Sequence, residues 1–203
     1  MNSNPTNQKD AAPKIGSIIP FGKYEWLVLD VQGGEALITT KNIIEKRRYN
    51  EECTDVTWET CDLRKYLNSE FLREFTKEQQ GQIAEKRIPN PDNLWYGTKG
   101  GSDTHDRIFL LSLEEADRYF GDSGDYLNRR REKHSGHGFS NGHDSDRVAN
   151  RESAACGWRL RSPGHASYYA AIVIDDGSVF VYGDDVSATY HGGGVRPALW
   201  LHL

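Results

Sequence analysis

The segment YYAAIVIDDGSVFVY, residues 168–182, holds two apolar runs on either side of the dipeptide Asp176-Gly177. An Asp-Gly pair between such runs is a strong signal for a β-hairpin, because the tight turn needs residues that accept a positive φ. Side chains alternate between the two faces of each strand. We therefore expect four side chains to face the core: Ala171, Val173, Val179 and Val181.

The opposite face of this hairpin is also apolar, because alternation gives it Ile172, Ile174, Phe180 and Tyr182. Such a face is not typical of a surface that meets only water. Either a second layer of the protein covers it, or it is an exposed patch of the kind that marks a binding site. The sequence leaves both alternatives open.

The rest of the chain supplies further strands and several helices. Strands are predicted at residues 24–31, 35–40, 107–111, 157–162 and 195–202, and helices after Thr60, from Thr76 through Lys86, and from Ser112 to Gly121. The helix starts rest on the spacings Thr76/Gln79 and Ser112/Glu115, which are typical of capping boxes. Because strands and helices do not alternate, the pattern predicts an α+β fold with an antiparallel sheet.

Length and composition limit the classes of protein to consider. A chain of 203 residues with 36% hydrophobic residues is typical of one folded domain, which we place at residues 15–203 after a disordered tail at 1–14. Its apolar runs are much shorter than the roughly 20 residues of a membrane span. The net charge of −5 argues against nucleic acid as a partner. The polar N-terminus has no signal-peptide pattern, so a cytoplasmic or virion-associated protein is expected.

The three cysteines, Cys53, Cys61 and Cys156, are an odd number. An odd number without a signal peptide does not suggest a secreted disulfide scaffold. We expect buried free thiols, with a Cys53–Cys61 bridge as the alternative.

The last fifty residues differ in composition from the rest. Every lysine lies at or before Lys133 and no glutamate follows Glu152, whereas Tyr, Ser, Gly, Asp and His are frequent. Tyr with short polar residues is the composition of antibody binding loops, and Lys and Glu are depleted at interfaces. This composition predicts a ligand-binding surface formed by His165, Ser167, Tyr168, Tyr169, Ile172, Ile174, Asp175, Phe180, Tyr182, Asp184, Asp185, Ser187, Thr189, Tyr190 and His191.

A polar stretch between Gly121 and Cys156 carries the residue types of a metal site. His134, His137 and His143, followed by Asp144 and Asp146, are weak candidate metal ligands, because no regular element holds them at a fixed spacing. Asp122, Asp125, Asp144 and Asp146 could offer oxygen ligands to calcium, although the EF-hand pattern is absent. Gly192-Gly193-Gly194 lacks the features of a phosphate-binding loop and is interpreted as a flexible turn.

Two motifs near the C-terminus, WRLRSPG at 158–164 and GVRPALW at 194–200, resemble those of a bacterial and phage domain family of unassigned activity. Three further segments, YEWLVLD at 24–30, residues 58–68 and IFLLS at 108–112, extend the resemblance to roughly residues 15–203. That family resembles the C-type-lectin-like fold of formylglycine-generating enzymes and of the variable proteins of diversity-generating retroelements. Arg159 stands where its members commonly have tryptophan.

The resemblance implies a C-type-lectin-like scaffold with a variable region at 158–200. In such proteins adenine-directed mutagenesis changes codons of a C-terminal segment, and Asn-type codons become Tyr, Ser, Asp, His, Thr, Ile, Phe or Gly codons but not Lys or Glu codons. Trp158, Arg161, Arg196 and Trp200 would then belong to the scaffold. The cysteine pair of formylglycine-generating enzymes has no counterpart, since only Cys156 lies in the C-terminal half.

These observations favour a non-enzymatic domain that needs no cofactor and binds a protein or cell-surface ligand, without membrane insertion and with a homo-oligomer as an option. Two other functions stay open. One is a metal-dependent enzyme that uses the loop histidines. The other is a structural or assembly domain of a phage particle, in which the apolar face is a subunit interface.

Overall fold

The structure, a computed structural model, describes residues 12–121, 127 and 136–203. Its strands are β1 (Ile18–Phe21), β2 (Tyr24–Gln32), β3 (Glu35–Thr40), β4 (Glu45–Lys46), β5 (Ile83–Ala84), β6 (Lys86–Ile88), β7 (Thr104–Asp106), β8 (Asn150–Arg151), β9 (Ala154–Ala155), β10 (Trp158–Pro163), β11 (Tyr169–Val173), β12 (Val179–Asp185), β13 (Gly194–Val195) and β14 (Ala198–His202). Its helices are α1 (Asp62–Tyr66), α2 (Lys77–Gln82), α3 (Leu113–Tyr119) and α4 (Asp144–Arg147). The fold is therefore mixed α+β, as the sequence predicts. Residues 1–11 of the predicted tail lie outside the described residues.

Two five-stranded sheets organise the chain. The first has the order β1-β2-β3-β14-β5 and the second the order β12-β11-β10-β13-β4. Neighbouring strands are antiparallel except β10 and β13, which are parallel. Two short hairpins, β6-β7 and β8-β9, complete the strands of the described residues. The core contains Trp26, Trp58 and Trp158, each almost fully buried.

The predicted strand at 195–202 is divided between the two sheets. Gly194 and Val195 pair in the second sheet with Lys46 and Glu45, and the strand that begins at Ala198 pairs in the first. Pro197 lies between the two parts, and proline cannot donate a ladder hydrogen bond. The chain therefore passes from one sheet to the other at this residue.

The hairpin of residues 168–182 forms as predicted. Val173 lies opposite Val179 in the register, and both are buried, as are Ala171 and Val181. Gly177 occupies the turn with φ 86°, a conformation that glycine adopts without strain. The strands at 24–31 and 35–40 also pair, through a Gly33-Gly34 turn.

The helix starts are predicted well and the helix ends less well. Both capping boxes form, at Thr76 with Gln79 and at Ser112 with Glu115. The second helix, however, ends at Gln82 instead of continuing through Lys86. Ile83 and Ala84 instead pair with Leu201 and Trp200 at the edge of the first sheet, where the Ile83 side chain is buried.

The first helix begins one residue later than predicted. Cys61, not Thr60, caps it, and its Sγ accepts a hydrogen bond from the Arg64 amide. A π-helical turn, Leu67–Phe71, follows directly. The wider turn keeps Leu63, Leu67 and Phe71, spaced four residues apart, on the buried side.

The predicted strand at 107–111 is only a single bridge, between Phe109 and Ala198. The amides of Arg107 and Ile108 instead donate to the Asn68 side chain, at 2.9 and 3.2 Å. A side chain therefore replaces a neighbouring strand as their hydrogen-bond acceptor. The apolar pattern of the segment is the same whether a strand or a side chain accepts these hydrogen bonds, so the pattern does not distinguish the two.

The cysteines are all free, so the alternative of a Cys53–Cys61 bridge is wrong. Cys61 and Cys156 are buried, as predicted, but Cys53 is exposed. Its thiol donates a 2.8 Å hydrogen bond to the Asp185 carboxylate. That bond raises the pKa of Cys53.

The two arginines assigned to the scaffold, Arg161 and Arg196, are buried and hydrogen-bonded. Arg196 donates to the carbonyls of Thr40 and Arg147, at 2.9 and 3.2 Å. Its guanidinium also lies 5.0 Å from the Trp158 ring, and burial lowers the pKa of Arg196 to about 9. Of the two tryptophans assigned to the scaffold, Trp158 is in the core, whereas Trp200 is only half-buried. As an outward-facing residue of β14, Trp200 instead lies beneath the Lys86 ammonium, at 5.6 Å.

The turn between β8 and β9 holds two strained residues, Glu152 with φ 51° and Ser153 with φ 71°. Two-residue hairpin turns of this shape favour Asn-Gly, because most side chains are disfavoured at positive φ. We expect the double substitution Glu152→Asn/Ser153→Gly to raise the free energy of unfolding by about 0.5–1 kcal/mol in urea denaturation. Gly33→Ser, at φ 59°, introduces the reverse change and should lower it. A loss of stability in the double variant would contradict this account of the turn.

No helix of the described residues has the length and apolarity that crossing a bilayer requires.

Candidate functional site

A continuous group of seven rings lies on the outer face of the β11-β12 hairpin and beside it. We call it the aromatic surface. Its members are Tyr96, His137, His165, Tyr168, Tyr169, Phe180 and Tyr182, each with a ring contact to at least one other member. Five of them belong to the ligand-binding set predicted from sequence. The structure therefore places these five predicted residues together.

Tyr182 is the centre of the aromatic surface. The His165 ring stacks on it at 3.6 Å between centroids and 11° between planes. The His137 ring meets it edge-on at 4.4 Å, and Tyr96 does so at 5.8 Å. Edge-to-face and stacked rings add attraction beyond the area they bury. The rings therefore form a preorganised surface and not a set of independent side chains.

The rim of the aromatic surface is Tyr168 and Tyr169. Their rings are 5.1 Å apart, and Tyr169 also lies 4.3 Å from His165. Tyr168 is 40% exposed and His137 is also exposed, whereas the other five rings are half-buried. Burial raises the pKa of Tyr169 and of Tyr96. Both phenols therefore stay protonated at neutral pH and can donate hydrogen bonds.

The outer edge of β12 is covered by the chain segment that carries His137. Phe139 and Val179 exchange backbone hydrogen bonds of 2.8 and 2.9 Å, and the Tyr182 amide donates to the His137 carbonyl at 2.7 Å. Gly138 lies between them, where a Cβ would be 2.3 Å from the Val179 carbonyl oxygen. From this edge the His137 ring covers part of the outer face at Tyr182. The covering is therefore partial and falls between the two alternatives that the sequence leaves open.

The buried Asn93 side chain links the loop of Tyr96 to the strands of the second sheet. Its side-chain nitrogen donates to the carbonyls of Pro163 and Val181, at 2.8 and 3.1 Å. Its side-chain oxygen accepts from the amides of Trp95 and Tyr96, at 2.9 and 3.2 Å. One buried amide therefore holds the loop of Tyr96 against the strands.

Ile172 does not belong to the exposed surface. Its side chain is only 1% exposed, and a Cβ on Gly192 would lie 2.3 Å from its Cγ2. Gly192 packs directly over this isoleucine. The interpretation of those glycines as a flexible turn is also corrected, because all three are buried where a side chain would collide with neighbouring atoms.

A polar margin follows the aromatic surface along the end of β12. Asp185 accepts from the Ser187 hydroxyl and amide, both at 2.7 Å, and Ser167 donates to Asp55. Burial raises the pKa of Asp185, but the hydrogen bonds from Cys53 and Ser187 outweigh it, and the pKa is lowered. Asp184, Asp185, Ser187 and Thr189 are all half-buried.

Arg159 fixes the backbone of this margin from inside. Its guanidinium donates to the carbonyls of Asp184, Asp185 and Ala188, at 3.0, 2.6 and 2.7 Å. The side chain is fully buried, and burial lowers its pKa. Arg159 is therefore a buried cation that holds three carbonyls of the loop.

Four predicted residues lie at a different place. Ile174, Asp175, Tyr190 and His191 line a groove of about 310 Å³ together with Lys46, Arg151 and Cys156. Tyr190 is 84% exposed. The predicted ligand-binding set is thus divided between the aromatic surface with its polar margin and this groove.

The candidate metal ligands are not assembled into a site in the described part of the chain. No group of three or more His, Cys, Asp and Glu side chains suitable for a metal occurs there. His137 belongs to the aromatic surface, and His143 pairs with Asp146 at 3.3 Å. Asp144 binds Arg147 at 2.5 Å. His134, Asp122 and Asp125 lie outside the described residues.

Sequence reasoning missed Tyr96 and Asn93 and assigned His137 to a different chemistry. Tyr96 lies more than eighty positions from Tyr182 in the chain, and the intervening helices and loops hide their proximity. The one local signal is the pattern Asn93-Leu94-Trp95-Tyr96, where an Asn-initiated turn presents two aromatic residues.

A family model described as a domain of unknown function (DUF6273) matches residues 33–203. No curated protein and no solved structure matches the chain.

Proposed function

We propose that this chain, which belongs to the DUF6273 family of domains of unknown function, is a recognition domain that binds a protein or cell-surface ligand. The observation that carries the proposal is the aromatic surface, in which seven rings are in contact around Tyr182. Its role is binding and not catalysis. No cofactor is part of the proposal.

The chemistry of the aromatic surface suits binding. Tyrosine offers a large contact area with few rotatable bonds, so little conformational entropy is lost when a partner docks. The polar margin at Asp184, Asp185 and Ser187 adds short hydrogen-bonding groups around it. Lysine and glutamate, which are costly to order and to desolvate, are absent from the whole segment after Glu152.

We propose further that the scaffold is C-type-lectin-like. The N-terminal β2-β3 hairpin pairs with β14 near the C-terminus, which joins the two ends of the chain in one sheet. The second sheet then carries the β11-β12 hairpin and the aromatic surface. A rigid sheet that presents side chains from one hairpin is a suitable base for a surface whose residues change.

The third element of the proposal is that residues 158–200 form the variable region of a diversity-generating retroelement. The support is a division by burial within this segment. Tyr168, Tyr169 and Tyr190 are exposed or half-buried, whereas Arg159 and Ile172 are fully buried. A diversified surface needs this division, because changes at buried positions would unfold the scaffold.

Sequencing the locus tests the proposal. We expect a reverse-transcriptase gene nearby and a near-copy of the region that encodes residues 158–200, differing from it only at adenines. Copies of the gene from many cells should differ at the codons of Tyr168, Tyr169, Tyr182 and Tyr190 more often than at buried codons, where most changes destabilise the fold.

Matched positions inside the same segment provide the control. Ile172, Val173 and Arg159 should not vary, since all three are buried. A locus without the near-copy, or changes spread equally over exposed and buried codons, would contradict the variable-region proposal. If Tyr182→Asp converts a stable oligomer into a monomer in light scattering, the aromatic surface is a subunit interface, and the recognition proposal fails.

A further inference from the structure

The groove that holds Tyr190 and His191 also contains charged residues. Its lining includes Lys46, Arg151 and Asp175. Two lining residues are cations and one is a carboxylate, but Arg151 already pairs with Glu152 at 2.7 Å. The cation of the lining that has no ion pair among the described residues is therefore Lys46.

The lysine of the groove is available to a ligand. Among the residues that the structure describes, no carboxylate forms an ion pair with Lys46, whereas the neighbouring Arg47 pairs with Glu45 at 3.6 Å. Arg151 pairs with Glu152 at 2.7 Å, but its side chain is still 38% exposed. An incoming anion can therefore bind Lys46 without displacing an existing partner.

Backbone hydrogen bonds fix the strands from which both cationic side chains extend. Lys46 lies opposite Gly194 in the β4-β13 ladder, and the Arg47 amide donates to the Gly193 carbonyl at 2.8 Å. Arg151 is on the β8-β9 hairpin, next to the two residues with positive φ. Strained backbone positions persist where the surrounding structure holds them, and they cluster at ligand sites.

From this geometry we infer that the groove binds the carboxylate of an acidic sugar, such as a hexuronic acid. Lys46 and Arg151 would bind the carboxylate, Asp175 would accept hydrogen bonds from ring hydroxyls, and the Tyr190 ring would pack on the sugar. A volume of about 310 Å³ is at the small end of ligand pockets, which suits a single sugar ring.

The same residues argue against an acidic peptide. A second carboxylate of a peptide would meet Asp175, a like charge, whereas a sugar hydroxyl can donate to it. An exposed tyrosine ring also offers more contact to the C–H face of a sugar ring than to an extended acidic side chain. An acidic sugar and an acidic peptide both carry a carboxylate, so the experiment must distinguish these two ligands.

This inference deepens the proposed function, because it assigns a ligand class to a second part of the same binding domain. It rests on that function in one respect: Tyr190 and His191 belong to the segment proposed to vary, whereas Lys46 and Arg151 do not. The cation pair would then be the constant anchor of the groove, and the sugar-packing side chain would be the changeable part.

Titration of the full isotope-labelled chain with glucuronate, followed by amide chemical shifts, tests the inference. We expect saturable shifts at Lys46, Gly157 and His191, and no such shifts with glucose, sulfate or glutarate. Lys46→Gln should weaken glucuronate binding by at least about tenfold, since it removes the unpaired cation. Tyr190→Ala should weaken it by about threefold.

Lys65→Gln is the matched control, because it removes the same charge from an exposed lysine that pairs with Asp62 on α1. It should leave glucuronate binding unchanged. Equal binding of glutarate or sulfate, or equal weakening by Lys65→Gln, would overturn the inference. Failure of this titration is distinct from failure of the locus test, since a locus without a near-copy does not alter how the groove binds glucuronate.

Discussion

Replacing Arg161 with methionine is expected to lower the free energy of unfolding by about 3–5 kcal/mol. Arg161 is almost fully buried, and its guanidinium binds both carboxylate oxygens of Glu115. It also donates to the carbonyls of Leu110 and Pro89, at 2.8 and 3.0 Å. Methionine fills a similar volume but leaves the Glu115 charge and two carbonyls without their partner.

Urea denaturation of the purified chain measures this loss. Arg48→Met is the matched control, because Arg48 pairs with Glu51 at the surface, where such pairs contribute about 0–1 kcal/mol. Adding Glu115→Gln to Arg161→Met should recover part of the stability, since it removes the unpaired charge. If Arg161→Met costs no more than Arg48→Met, the ion pair does not stabilise the fold as we describe.

The pH dependence of the same pair has a definite sign. Burial raises the pKa of Glu115, but the Arg161 charge and the hydrogen bonds from Arg161 and Ser112 outweigh it and lower the pKa below 4.5. A lowered pKa in the folded state means that the stabilisation is complete above the unfolded pKa and is lost as the pH falls through the folded pKa. The difference in stability between wild type and Arg161→Met should therefore shrink as the pH is lowered below about 4.5.

Much of the fold was predictable because its signals are local. Asp176-Gly177 specifies a turn, and the spacings Thr76/Gln79 and Ser112/Glu115 specify helix starts through bonds within four residues. The strand at Ile83–Ala84 was not predictable in the same way, because its partner is β14, more than a hundred residues later. Pairing over that distance depends on how the sheets assemble, which a local pattern does not contain.

The candidate site was also predictable where its signals are local and not where they depend on long-range pairing. Composition and strand alternation together indicated Tyr168, Tyr169 and Tyr182 as surface residues, and the structure places them together. Strict alternation placed Ile172 on the same face, but Gly192 packs over it and its side chain is buried. The division into an aromatic surface and a groove depends on Lys46 and Arg151, which reach the groove only through tertiary pairing.

Gly157 is the position where one added methyl group should have the second large effect. A Cβ there would lie 1.9 Å from the His191 carbonyl oxygen and 3.0 Å from that of Val173. Both are backbone atoms, held by different strands or loops, so neither can move aside as the end of a side chain can. The Gly157 carbonyl also accepts the Gly194 amide at 3.1 Å, which joins β13 to the second sheet.

We therefore expect Gly157→Ala to lower the free energy of unfolding by about 3 kcal/mol in urea denaturation, the upper end of the cost of overpacking. The displaced His191 backbone should also weaken glucuronate binding in the groove. Gly142→Ala is the matched control, because a Cβ at Gly142 has no neighbour within 4 Å, and it should change stability by less than about 0.5 kcal/mol. If Gly157→Ala is as stable as Gly142→Ala, the 190–194 segment does not pack over Gly157. Our description of the groove wall that this packing forms would then be wrong.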